Sequence, residues 1–199
     1  GEKLTIDIAW FGTESPRRVL VHSSGLHGVE AHAGSAIQLG LMQQLPPLAD
    51  DAALVLVHVV NPYGMAWGRR ANEHNVDLNR NFRDWSLDPP EPPGYRDVDP
   101  FLNPPRPPSR DLFLVRALWL KYTKGPSRLK QAVTGGQYHQ PRGLFYGGAG
   151  IEEGPRKLRS FVETRLAGVE EVSAIDVHTG LGRFADDTLL VDEDDYDEM

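Results

Sequence analysis

The sequence predicts an α/β fold, layered around a sheet whose strands run largely parallel. Three observations predict it. Short apolar runs rich in β-branched residues, at 18–22, 53–60 and 171–177, read as buried strands. Segments with apolar residues at helical spacing, starting near Ala31, Asp111 and Pro155, alternate with them, the pattern of a layered α/β domain. Two of the strands run into loops that carry a histidine, His27 and His178, and parallel neighbours would place both loops on one rim of the sheet.

Taken in order, Leu4, Ile6, Ile8 and Trp10 alternate with Thr5, Asp7 and Ala9, which is a half-buried strand toward a sheet edge. Gly12 to Arg17 is a turn, and Val19 to His22 is the central strand. The helix Ala31 to Leu45 is expected to bury Ala33, Ile37 and Leu41, and Pro46-Pro47 stops it. The run 53–60, ALVLVHVV, should be an interior strand covered on both faces. The segment 65–84 is polar and without periodicity, and long irregular segments inside domains are usually functional. From 88 to 108, nine of the sixteen prolines are packed together, which predicts a rigid, extended excursion within one domain rather than a linker. A helix over 111–122, capped by Ser109 or Asp111, would present Leu112, Val115, Trp119 and Tyr122 on one face. Ser127 to Val133 reads as a shorter helix. Pro155 to Leu166 reads as a longer one with Leu158, Phe161, Val162 and Leu166 on its apolar face. A strand follows over 171–177 and a further short one over 186–192, before an acidic tail.

The bulk composition excludes several classes of function. The formal net charge is −7 and no run approaches a membrane span, which argues against nucleic-acid and membrane partners. There is no cysteine, so a disulfide framework and a thiolate metal site are both excluded and a metal would need His, Asp or Glu. The expected location is the cytoplasm. The chain opens with Gly1-Glu2-Lys3 directly before a strand and reads as a piece cut from a longer protein, so the absence of a signal peptide says little.

His27 and Glu30 sit three residues apart where a strand ends and a helix begins. That spacing can turn a ring nitrogen and a carboxylate toward one point, two of the three protein ligands a catalytic zinc needs. A strand-end histidine with an acidic residue at a helix start is also an ordinary structural arrangement. His178 lies just past another strand, before Gly180, and offers the third ligand. His74 and Asp77 form a His-x-x-Asp pair of their own, with no third ligand beside them. No Lys-Ser/Thr follows Gly147-Gly148-Ala149-Gly150, so this is not a phosphate loop, and no GxSxG elbow is present.

HGVE at 27–30, GRRAN and VDLNRNF within 68–82, and DVHTG at 176–180, in that order, resemble the zinc metallocarboxypeptidase superfamily with its carboxypeptidase A-like fold. The closest branch is a bacterial group described only as a domain of unknown function, near the aspartoacylase and succinylglutamate desuccinylase deacylases. The resemblance covers essentially residues 1–199 as one catalytic domain. It implies a three-layer α/β/α fold with a mixed, largely parallel central sheet, whose C-terminal part would lie beyond this chain. It also implies a ligand set of His27, Glu30 and His178 for Zn2+. Arg70, nine residues before Asn79, would be the catalytic arginine that stabilises the oxyanion. Asn79 and Arg80 would bind a substrate carboxylate, and Asp77 would accept the free N–H of His27.

The sequence departs from that family in three ways. Only 21 residues follow His178, so the family's general-base glutamate and mobile tyrosine have no counterpart here, Glu193 and Glu198 being poor candidates in the acidic tail. Thr179-Gly180 after the third ligand is closer to the deacylase branch, and no specificity pocket can be read. The expected function is therefore a zinc-dependent hydrolase of an amide bond beside a free carboxylate, acting on a peptide. The alternatives are a deacylase of N-acyl amino acids and a metal-binding module without activity. A homo-oligomer is also expected, because an apolar sheet edge would be exposed if strands are missing.

Overall fold

Apolar residues fill positions 53–57 because both faces of the sheet are covered there. In the computed structural model, which describes residues 3–90, 94–105, 112–180, 183, 186 and 188, four strands form a mixed sheet flanked by helices. The strands are β1 (Asp7–Gly12), β2 (Arg18–Ser24), β3 (Ala52–His58) and β4 (Glu171–Val177), in the spatial order β1-β3-β2-β4. β1 pairs antiparallel with β3 at the edge, and β3 and β4 both pair parallel with β2. Ser24 lies opposite Val177, so the loops after β2 and β4 leave the sheet at the same level.

Alternate residues of each strand face opposite sides. Val19, Val21, Ala53, Val55 and Val57 form one side of the core, against Leu158, Phe161 and Leu166 at and just beyond α6 (Glu153–Arg165). On the opposite face α1 (Ala31–Gln43) packs over His22 and Ser24. The residues α1 buries are Ala31, Gly34 and Gln38, whereas Ala33 and Ile37 are exposed, which corrects the face expected for this helix. The reason is proximity. A Cβ at Gly34 would stand 2.5 Å from that of Ser24, so this face of the helix comes too near the sheet for branched side chains. Gln38 then spends its amide on the backbone carbonyls of His22 and Val57, at 3.2 and 3.0 Å.

Two further expectations are corrected. Within the proline-rich stretch the described residues include a helix, α3 (Tyr95–Leu102), with Pro100 inside it; Tyr95 and Val98 are buried, so amphipathic packing outweighs the proline count. In α4 (Phe113–Lys124) the expected face is turned outward: Leu112, Val115, Trp119 and Tyr122 are 57–90 % exposed. α4 packs on α5 (Pro126–Thr134), and Leu120 is the residue it buries. The proposed caps Ser109 and Asp111, most of the strand expected over 186–192, and the acidic tail lie outside the described residues. No helix among the described residues is long and apolar enough to cross a membrane.

Candidate metal centre

After β2 the chain turns at Gly25 and makes a single 3₁₀ turn over Gly28–Glu30. Gly28 has no alternative there, since a Cβ would meet the backbone of Gly64 at 2.1 Å. Gly64 belongs to α2 (Pro62–Trp67), a helix capped by the Asn61 side chain, which accepts from the Gly64 amide at 2.8 Å. The Gly28 and Val29 amides donate to the carbonyls of Arg70 and Arg69. The 27–30 loop is thereby docked on α2 and on the irregular stretch after it that carries Arg70.

The polar segment 72–81 is folded by its own side chains. Asn72 Oδ1 accepts from the amides of His74 and Val76, and the Asp77 amide donates to the carbonyl of Tyr146 at 2.7 Å. Asp77 is buried and caps the turn Leu78–Arg80 through the Asn79 amide. Asp77 Oδ1 also lies 3.1 Å from His27 Nε2. Burial pushes the Asp77 carboxyl up, but the His27 hydrogen bond and the Arg70 charge outweigh it and bring it down to about 2. An ionised Asp77 can only accept, so Nε2 of His27 donates to it and Nδ1 is the nitrogen turned toward Glu30.

His178 repeats the arrangement. Its Nε2 is 2.5 Å from Asp176 Oδ2, and Asp176 Oδ1 accepts from Ser23 Oγ at 2.5 Å. The Asp176 contact raises the His178 pKa, burial opposes it, and the charges of Asp176 and Glu30 add to the rise. With Nε2 against Asp176 Oδ2, Nδ1 of His178 faces Nδ1 of His27 at 3.2 Å. Glu30 completes a triangle: Oε1 is 3.0 Å from His27 Nδ1 and Oε2 is 3.7 Å from His178 Nδ1. The Thr179 amide donates to Glu30 Oε2 and holds the carboxylate. Three electron-pair donors thus converge within 4.8 Å of one another. Lone pairs facing one another are repulsive unless a cation, a proton or a metal ion, lies among them. A tetrahedral zinc, with bonds of about 2.0–2.1 Å, separates its ligands by about 3.3 Å; the two Nδ1 atoms, 3.2 Å apart, stand at that spacing, while the set of one donor atom from each residue extends to 4.8 Å.

A family model described as "Protein of unknown function (DUF2817)" matches residues 1–199. The chain belongs to the DUF2817 family. No curated protein and no solved structure matches it.

In this DUF2817 chain Arg70 stands beside the triangle. Its Nε donates to Asp77 Oδ2 at 2.9 Å and its Nη1 is 3.7 Å from Glu30 Oε1. Asn79 and Arg80 reach the cluster through their backbone, their amides donating to Asp77 Oδ1 and Asp77 O. The Arg80 stem runs over Gly136, where a Cβ would meet its Cδ at 2.8 Å, and Tyr138 Oη donates to the Arg80 carbonyl. His74 is not drawn to Asp77. It pairs with Glu152, Nδ1 to Oε2 2.7 Å, so the His-x-x-Asp spacing makes no second centre. A cavity of about 310 Å³, lined by residues such as Ile6, Tyr63, Leu78 and Lys157, includes none of the three candidate ligands.

Sequence reasoning missed Asp176, although strand alternation places residues i and i+2 on one side and so signals it. Asn81 was missed too. It is fully buried and donates to the carbonyls of Gly147 and Gly150, 66 and 69 residues away, at 2.8 and 2.9 Å. Nothing local in the sequence announces that contact.

Proposed function

We propose that this chain is a zinc-dependent hydrolase that cleaves an amide or peptide bond next to a free carboxylate, in the manner of the metallocarboxypeptidases that its motifs resemble. The observation that carries the reading is the convergence of His27 Nδ1, His178 Nδ1 and Glu30, each histidine having its other nitrogen occupied by a carboxylate. Carboxylate-backed histidines of fixed tautomer are the usual company of a bound metal. His27, Glu30 and His178 would hold the ion, and two nitrogens with one carboxylate leave a fourth position open. Zinc bound there supplies an acidified water and polarises a carbonyl.

The chain's own residues do the rest. Asp77 and Asp176 hold the two imidazoles in the tautomer that presents Nδ1. Arg70, fixed by Asp77, places a permanent cation where negative charge grows on the carbonyl oxygen. Arg80 offers a planar fork suited to a substrate carboxylate, with Asn79 beside it. Asp77 and Asp176 are both engaged with histidines, which leaves neither free to move protons. Turnover by residues 1–199 is therefore expected to be slow.

The test is metal content after purification, for the natural sequence and for His178→Ala, together with turnover of C-terminally free peptides and of N-acyl amino acids. About one zinc per chain, lost in the variant, and hydrolysis of the peptides support the reading. Hydrolysis of N-acyl amino acids alone would assign a deacylase. Zinc binding without turnover of either class would leave a metal-binding module.

A further inference from the structure

Phe145 is the residue the proposed chemistry leaves unexplained. Its φ is +58°, a left-handed conformation that a bulky residue rarely adopts. Such strain persists only where the surroundings fix it from several sides, and here they do. The preceding residue is pinned at both ends: the Leu144 amide donates to Asn103 Oδ1 at 2.9 Å, and its carbonyl accepts from Tyr95 Oη at 2.7 Å. The Phe145 carbonyl accepts from the Gln137 amide, and the Tyr146 carbonyl from the Asp77 amide. Asn75, also left-handed at φ +63°, donates to the carbonyls of Pro141 and Gly143. The loop 137–146 is thus clamped to the segment that carries Asp77. What the clamp delivers is the Phe145 ring, whose centroid lies 5.4 Å from the Arg70 guanidinium carbon.

We infer that Phe145 is a positioning residue for Arg70, holding the plane of its guanidinium without occupying its donors. The inference rests on the reading of Arg70 as the cation at the reaction centre. A further carboxylate, beyond Asp77 on Nε and Glu30 at 3.7 Å from Nη1, could fix the same plane, but it would take the remaining N–H groups and cancel the charge. An aromatic face attracts the cation through its quadrupole and leaves the N–H edge free. Asp77 already takes Nε, so the terminal nitrogens are the ones worth keeping available. A glycine at 145 would satisfy the backbone with no strain, so the side chain is what the strained position supports.

The test follows the Arg70 Nε–H signal by ¹⁵N NMR in the purified chain, the signal being identified by its loss in Arg70→Lys. Protons over an aromatic face are shielded, so Phe145→Leu and Phe145→Gly are expected to shift the signal toward that of a solvated arginine, while Phe145→Tyr keeps it. The glycine variant guards against misfolding, because it relieves the positive φ and should retain the amide fingerprint and melting temperature. With the better substrate class, Phe145→Leu is expected to lower kcat by about tenfold to a hundredfold with KM little changed. An Arg70 signal indifferent to residue 145 overturns the inference, even if kcat falls. A signal that follows residue 145 in a chain that turns over neither substrate class sustains the positioning role and overturns the hydrolase reading instead.

Discussion

Asp176 and Asp77 do the same work on different histidines, and the site's symmetry makes their roles separable by measurement. Each lies against an Nε2 and leaves Nδ1 toward the triangle. Replacing such a partner typically costs tenfold to a hundredfold in metal affinity, so Asp176→Asn is expected to weaken zinc binding by about that factor in chelator competition. An affinity equal to the unaltered chain's would mean that the His178 tautomer is fixed by something else. A second residue-scale expectation concerns pH, away from the triangle. Glu152 raises the pKa of His74, with smaller help from the charge on Glu73 and partial opposition from burial. A raised folded pKa gives stability that is complete below the unfolded value of about 6.5 and lost as pH climbs through the folded value. The pair is mostly exposed on the His74 side, so the effect is below about 1 kcal/mol, or no more than about 2–4 °C in Tm for a domain of this size. The difference in Tm between the natural chain and His74→Gln should therefore shrink from pH 6 to pH 8.5. A constant difference would exclude a titrating pair. At this scale the sequence was most informative where motifs are local. His27 and Glu30 are neighbours on one loop, and the ordered blocks pointed to Asp77 and His178. Phe145 and Asn81 act on partners far along the chain and left no mark in the local pattern.

Elements divide differently. Strand positions were legible to within a few residues, and β4 is found over the residues that were read as a strand, 171–177. Two-residue alternation and β-branching report a pleated, half-covered surface directly. Helix faces were not legible. Counting apolar residues at helical spacing assumes that the partner surface wants them. α1 meets the sheet through Ala31, Gly34 and Gln38 because it lies close to a polar stripe that includes His22 and Ser24. The long segment 72–81 has no periodicity because it is held by side-chain amides. Asn81 is the strongest case: its side chain makes three bonds, donating to Gly147 O and Gly150 O and accepting from the Glu152 amide at 2.8 Å. Asn81→Ala would strand these buried groups, at about 1–3 kcal/mol for each group left without a partner. The Gly150 and Glu152 bonds are only part-buried, so water replaces them in part and a total of about 2–4 kcal/mol is expected in urea unfolding, with loosening of the 137–150 loop seen as faster amide exchange. A loss below about 0.5 kcal/mol would show that water takes over these bonds.

For the molecule as a whole, the open side of the sheet matters most. β4 pairs with β2 on one side, and among the described residues no strand pairs with it on the other. Its side chains are exposed over Glu171–Ile175, with Val172 at 46 % and Ile175 at 43 %. Such an edge offers unpaired N–H and C=O groups to any other chain. The outward row of α4, with Leu114, Leu118, Trp119 and Tyr122 exposed, adds apolar surface. The net charge of −7 opposes association at long range, and Glu170 and Glu171 guard only the start of the strand. Edge pairing gains hydrogen bonds as well as buried area, whereas a net charge of this size is screened beyond about 10 Å at 0.1 M salt. Residues 1–199 are therefore expected to self-associate with rising concentration and more strongly as salt is added. Val172→Lys places a charge on the edge strand, on the sheet face opposite α1, and should return the chain to a monomer without altering any zinc binding at the proposed site. Sedimentation velocity across a concentration series at two salt levels decides it. A chain that stays monomeric throughout and melts reversibly in one step would show that β4 is protected by twist and local charge alone. A variant that associates as the natural chain does would move the contact from β4 to α4.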